Sequence, residues 1–483
     1  MISNSLLLTG RELTVLQHSF IIGIFGAFFA TIIAAILTLL WHQPSYQRLG
    51  ILRYSVIIPL LIPPFLHALT WDNLLIVLSQ TGFLNSGTYV ASLRSMTGII
   101  FLLSLAYFPL PLLIFLNTLR SLPRSSIDSG LLATTPGSTL WHIARPLLTP
   151  AGLTGFLLTF IFCFTTFDIP EYFSVPVFVT EVFAAFSARY DTVRALLLSG
   201  IPVVLTMVVM TILIKRFVGR RVFFSPIISP AYIFRIKSPI INGVLWGFYM
   251  LVIIASVIVP LTSFIIQGSF FSASVRHALF SSREIIFNTV WVSVWGGFVS
   301  VILSLMVYRW IYRWTAGRII FLSLFAMPAI TFGIVCIMVF NQPFLSFFYA
   351  STSMLILAYA LRFVPIVCET LYTYYLSINP QLFDAAKLHS KGGLSYIKTF
   401  WWPLTKPALI LGWMIGFWLI VSELPITLLI QPAGFQTVTS RIYIFLHYGS
   451  QEFTNALTLS LVVLSLLPIL VVFAAFAYED SKT

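Results

Sequence analysis

Long apolar runs separated by short polar segments pattern this chain from end to end. A membrane-crossing helix takes about 20 mostly apolar residues, and eleven stretches qualify, at roughly 14–40, 54–71, 96–119, 150–169, 194–214, 242–266, 286–310, 318–340, 351–376, 407–430 and 455–478. The pattern predicts an all-α polytopic membrane protein. Pro63, Pro64, Pro109, Pro111, Pro328 and Pro365 fall inside these runs, where neighbouring helices, hydroxyl side chains or waters take up the freed carbonyls. A polar, basic interruption at 215–241, with Pro226, Pro230 and Pro239, divides the chain into a first lobe at 1–214 with five spans and a second at 242–483 with six.

The polar intervals contain a repeat. Residues 124–155 read RSSIDSGLLATTPGSTLWHIARPLLTPAGLTG and residues 383–412 read FDAAKLHSKGGLSYIKTFWWPLTKPALILG. Pro146 aligns with Pro403, Pro150 with Pro407, Ala151 with Ala408 and Gly155 with Gly412, all at one offset of 257 residues. Each copy lies between the third and fourth span of a five-span set, so spans one to five match seven to eleven, and 242–266 has no counterpart. Repeats of like orientation predict a pseudo-two-fold axis along the membrane normal, with the solute route between lobes.

Charge sets orientation, because short cytoplasmic loops retain Lys and Arg. With both repeated loops inside, 19 of the 27 basic residues are cytoplasmic, seven are outside and Arg362 alone lies within a span. The N-terminus is then outside and the C-terminus inside. The first apolar run has no basic segment before it and outruns a signal-peptide core, so it reads as a retained helix. Hydrophobic residues make up 59% of the chain and charged ones 8%, with a mean hydropathy of +0.99, which excludes a soluble globule. The net charge of +13 is spread over loops, not gathered on the single face that nucleic acid needs. Cys163, Cys336 and Cys368 all fall in apolar runs without ligand spacing, which argues against disulfides and zinc. His67, His277 and His447 stand singly, so no metal site is assigned. No HExxH, paired-carboxylate spacing or nucleophile elbow points to an enzyme.

The second repeated segment, with Asp384, Ala385 and Ala386 followed by Pro403, resembles the "EAA" loop of ABC-importer permeases. The resemblance implies a coupling helix that docks on a cytoplasmic ATPase, carried by Asp384, Ala385, Ala386, Ser390 (at the family's glycine position), Gly393 and Pro403. The first loop matches more loosely, through Asp128, Ala133, Gly137, Ile143 and Pro146. No segment fits G-x-x-x-x-G-K-[ST], so ATP is expected on two separate ATPase subunits and no cofactor on this chain. No outer loop is long enough for solute capture, which implies a separate periplasmic or lipoprotein binding protein. The segments FDIPEYFSVPVFVTEVFAAF and ELPITLLIQPAGFQTVTSRIYIFLHYGSQEF resemble the periplasmic portions of fused permeases for ferric iron, and more loosely of those for thiamine and aminoethylphosphonate. The resemblance covers nearly the whole chain and implies a bacterial inner-membrane location, with ferric iron as the leading substrate.

Candidate pathway or binding-protein contacts are Asp168, Glu171, Glu181, Arg362, Glu423 and Arg441. A charge at mid-bilayer costs roughly 2.5–3.5 kcal/mol on insertion scales, so Arg362 and Glu369 are expected to face the protein interior. Arg362 either lines a cavity or pairs with a carboxylate or helix-end carbonyls. Asp168, Glu171 and Glu423 either meet a cation or a basic partner surface, or are solvated loop charges. An ion-coupled secondary transporter is the alternative class, with Glu369 as its one good acidic residue inside a span.

Overall fold

The structure, a computed structural model, describes residues 8–80, 91–121, 142, 145–217, 238–266, 273–349, 351–389, 392–448 and 451–480. Among them every regular element is helical. The principal helices are α1 (Gly10–Trp41), α2 (Pro64–Gln80), α3 (Met96–Tyr107), α4 (Pro109–Ser121), α5 (Arg145–Thr165), α6 (Asp168–Tyr172), α7 (Phe178–Ser187), α8 (Thr192–Phe217), α9 (Pro239–Ile253) and α10 (Val259–Ile266). They continue with α11 (Arg283–Ile311), α12 (Thr315–Ala326), α13 (Ala329–Phe340), α14 (Thr352–Ser377), α15 (Pro380–His389), α16 (Trp402–Val421), α17 (Pro425–Ile430), α18 (Val438–Tyr448) and α19 (Gln451–Asp480).

Eight helices among the described residues are long and apolar enough to cross a membrane, or ten if each of two bent pairs is one span. The chain is a multi-pass helical membrane protein. The expectation of eleven spans, several of them with proline inside, is refined at 54–71 and 318–340, where the structure has sharply bent helix pairs. The first is a helix pair, Leu52–Leu61 and Pro64–Gln80, bent by 98°, and the second is α12 and α13, bent by 103°. The eleventh run is covered by α19, whose described apolar part is the shorter Phe453–Pro468.

Proline causes both bends. It offers no N–H and pushes the preceding residue out of the α region, and Ile62 before Pro63 (ψ 121°) and Met327 before Pro328 (ψ 141°) are both extended. Pro150, Pro202, Pro365 and Pro407 lie inside continuous helices. Proline therefore permits a break without compelling one.

Close crossings hold the bundle, as apolar lipid gives little drive for burying apolar side chains and packing depends on small residues. α1 packs on α3, α4 and α5, and α11 packs on α14 and α16. A Cβ on Gly26 of α1 would lie 3.1 Å from Cys163 Sγ of α5, and one on Gly297 of α11 would lie 3.0 Å from the Trp413 carbonyl of α16. The three cysteines are buried and free. On the outer faces Ile24, Phe25 and Phe28 of α1 and Trp291, Trp295 and Phe298 of α11 are exposed, the apolar surface that lipid covers.

Helix α9 docks on the first half of the chain. Leu245, Tyr249, Val252 and Ile253 share a core with Leu37, Leu40, Trp41 and Tyr46. The hydroxyls of Tyr249 and Ser55 are 2.9 Å apart, and Trp246 Nε1 donates to Ser45 Oγ (3.3 Å). Nearby, Trp71 Nε1 donates to the Ala255 carbonyl (3.0 Å), and α10 packs along α2.

Candidate functional site: a cavity between two broken helices

Each proline break releases carbonyls that a helix would have bonded, and in an apolar setting each needs a donor. At the first break Trp418 Nε1 of α16 donates to the Leu61 carbonyl (3.1 Å), and His67 Nε2 bonds the Pro59 carbonyl (3.3 Å). At the second, Arg362 Nη1 of α14 donates to the Met327 carbonyl (3.0 Å). Trp418 thus joins the second half of the chain to the broken helix of the first.

The two breaks face one cavity of about 170 Å³. Leu60, Ile62 and Pro63 line it from the first break, and Ala326 and Ala329 from the second. Leu158, Phe162, Phe325 and Trp418 supply much of its apolar wall. Its charged lining residues are Asp168, Arg362 and Glu423. Broken helices facing a cavity are where transport proteins place irregular backbone, because there the freed polar groups can serve a solute.

Asp168 and Glu423 reach the cavity by matching routes. Each follows the end of a long helix, α5 or α16, and each opens an acidic-aliphatic-proline turn, Asp168-Ile169-Pro170 or Glu423-Leu424-Pro425. Glu423 Oε1 accepts the Ile426 N–H (3.2 Å), while its Oε2 stands 3.8 Å from Arg362 Nε. Among the described residues Asp168 Oδ1 is buried with no hydrogen-bond partner, and Arg362 Nε likewise has no acceptor. Both carboxylates turn inward, so neither is a solvated loop charge. Arg362 combines its two expected roles: it pairs with a carboxylate and a helix-end carbonyl, and it also lines the cavity.

The other predicted contacts lie elsewhere. Glu171 accepts from the Tyr443 hydroxyl (3.2 Å), a link from α6 to α18. Glu181, 3% exposed, is ion-paired with Arg189 (2.7 Å) and Arg11 (3.2 Å). Arg441 bonds Gln436 Oε1 (3.0 Å) and lies over the Phe445 ring at 4.2 Å.

Of the repeated-loop residues, Asp128, Ala133, Gly137, Ile143 and Ser390 lie outside the described residues, as does most of the 215–241 linker. Pro146 is exposed in the first turn of α5. Asp384 and Ala385 are exposed on α15 and Ala386 is buried, while Gly393 and Pro403 are exposed. On the second loop Phe383 is buried, whereas Leu382, Leu394 and Ile397 are exposed.

A second buried charge pair escaped sequence reasoning. Arg318 stands on α12 and pairs with Glu369 of α14. Tyr312 donates its hydroxyl to the same carboxylate. The rings of Tyr312 and Tyr372 stack with centroids 3.9 Å apart, and the Arg318 guanidinium lies 5.0 and 5.7 Å from them. The available signal was Glu369 itself, since a carboxylate in an apolar helix needs a buried cation. Arg194 similarly donates through Nε to Glu12 Oε1 (2.9 Å), and Arg94 grips Asp72 with two bonds of 2.8 and 2.9 Å.

A comparison with models of protein families finds no match, and a comparison with curated proteins finds none either.

Proposed function

We propose that this chain is the transmembrane permease subunit of a binding-protein-dependent ABC importer, with two fused lobes and a solute path between them. One observation carries the proposal: a single cavity lined by a broken helix from each half and by acidic residues at matching turns. Like packing in the two halves supports the repeat. Ser19 Oγ of α1 accepts the Phe178 N–H that opens α7 (2.8 Å), and Thr289 Oγ1 of α11 accepts the Val438 N–H that opens α18 (2.8 Å). The reading includes a bacterial inner-membrane location, an outside N-terminus, cytoplasmic repeated loops, two ATPase subunits that carry ATP, and an external solute-binding protein. Ferric iron is the leading substrate, ahead of thiamine and phosphonates, on the resemblance alone. Exposed Asp384 and Ala385 beside exposed Leu382, Leu394 and Ile397 suit a loop that meets a protein partner. For the ion-coupled alternative, Glu369 is already engaged by Arg318 and Tyr312, which leaves it Asp168 and Glu423 at the cavity.

The test is affinity purification of the tagged chain from gently solubilised membranes, followed by identification of what travels with it and an ATPase assay. The proposal expects an ATPase at two copies per chain. It also expects Asp384→Lys and Gly393→Pro to weaken that association while membrane insertion persists. A chain that purifies alone and supports gradient-driven uptake would overturn it.

A further inference from the structure

We propose that Arg362 is a charge gate against leak: its guanidinium bars free monovalent cations from a passage whose carboxylates, Asp168 and Glu423, would otherwise draw them in. The inference rests on the cavity belonging to a solute passage, as proposed above, but needs no ATPase.

The cavity lining holds two carboxylates and one guanidinium, so Arg362 is the sole positive charge offsetting them there. Carboxylates lining a pore favour cations, while a fixed arginine in a narrow polar passage raises the barrier against them. The placement suits a gate more than a structural pin. Nη1 is tethered to the Met327 carbonyl at 3.0 Å, whereas Nε approaches Glu423 Oε2 only to 3.8 Å and has no hydrogen-bond acceptor. A bidentate lock would satisfy both donors at hydrogen-bonding distance, as Arg94 does on Asp72.

The two carboxylates arrive on different halves of the chain. Asp168 follows α5 of the first half and Glu423 follows α16 of the second, with Arg362 on α14. Asp168 Oδ1 is buried without a partner, which leaves it available to the guanidinium. The rest of the lining is mostly apolar and resists ions by itself, so the two carboxylates are what would admit a cation and Arg362 is the charge that offsets them.

The full-length chain is reconstituted alone in liposomes with a trapped thallium-quenched fluorophore, and Tl⁺ influx is timed after mixing. Wild-type vesicles are expected to fill little faster than protein-free ones, and Arg362→Lys, which keeps the charge, to stay close to wild type. Arg362→Ala is expected to admit Tl⁺ roughly tenfold faster, corresponding to a modest loss of barrier. The triple variant Arg362→Ala, Asp168→Asn, Glu423→Gln is expected to return toward wild type, because the attraction is gone along with the repulsion. Tight vesicles with monodisperse Arg362→Ala protein would overturn the gate. So would a triple variant or an Arg362→Lys variant as leaky as Arg362→Ala, since the leak would then be a packing defect. No ATPase is in the vesicles, so failure here is distinct from failure of ATPase co-purification, which judges the permease reading.

Discussion

Arg53 stands ten residues before Pro63 and Arg318 ten before Pro328, so the two halves bring an arginine to the same point of their broken helices, yet satisfy it differently. Arg53 donates to neutral partners, Gln47 Oε1 and the Tyr54 hydroxyl (2.8 Å), all within a few residues of itself. Arg318 reaches across to Glu369 on another helix, where two tyrosine rings flank it. Likewise Glu423 has an arginine and a backbone N–H, while its counterpart Asp168 keeps an unpartnered oxygen. At this point of its broken helix the first half holds its arginine locally, whereas the second cross-links it by charges that run from α14 to α12 and to the turn before α17. Ion pairs of the first half, such as Arg194 with Glu12 and Arg94 with Asp72, lie elsewhere. Two halves of like packing can therefore carry unlike electrostatics, with α14 as the charged strut of the second.

The strongest way to break this contrast is Glu369→Ala. It strands Arg318 in an apolar setting, and loss of one partner of a buried pair costs about 3–5 kcal/mol. The variant is expected to melt at a clearly lower temperature in detergent, whereas Arg53→Ala shifts it far less. Replacing the pair together, as Arg318→Met with Glu369→Leu, is expected to recover most of the loss, because no uncompensated charge remains.

The covered and open faces of the two halves give the next test. Tyr249→Ala removes a buried ring and its bond to Ser55, and large-to-small changes of an aromatic cost about 3–5 kcal/mol when fully buried. Limited proteolysis around α9 should accelerate. Met306→Ala or Trp310→Ala, at 71% and 68% exposure on α11, should leave proteolysis and melting nearly unchanged.

Gly155→Val and Gly297→Val probe a smaller term. A Cβ at Gly155 would lie 2.9 Å from Pro111 Cα, and one at Gly297 3.1 Å from the Phe417 nitrogen, both backbone atoms. Overpacking of this kind costs about 1–3 kcal/mol, and similar losses of melting temperature would mark the two crossings as equivalent. Smallest is Ser19→Ala against Thr289→Ala. Each removes a hydroxyl that satisfies the first N–H of a following helix, a loss of about 1 kcal/mol by analogy with helix caps. Unequal shifts would sharpen the view that the halves have diverged.

Most of the elements were legible because a run of some twenty apolar residues has little alternative to a membrane helix. Pro63 and Pro328 were legible as risks, but not as bends. Pro365 shows why, since it sits within continuous α14, and what separates the cases is whether a donor such as Trp418 or Arg362 stands ready for the freed carbonyl. The partner of Arg318 was hidden for a related reason. By position Arg318 is one more basic residue near a span end, and only the proximity of Glu369, 51 residues away, makes it a buried ion. Asp168 and Glu423 were found by their place after matching helices, but their inward direction was not readable.

The amino-acid sequence by itself determined the class of solvent this chain lives in and most of the helices that solvent demands, both of which follow from local composition and spacing. Tertiary structure alone decided which breaks bend, that α9 shields the first half, and that three charges from distant positions share one cavity. Those outcomes depend on partners for buried polar groups, and in a low-dielectric interior such partners are chosen by spatial contact, which no local pattern encodes.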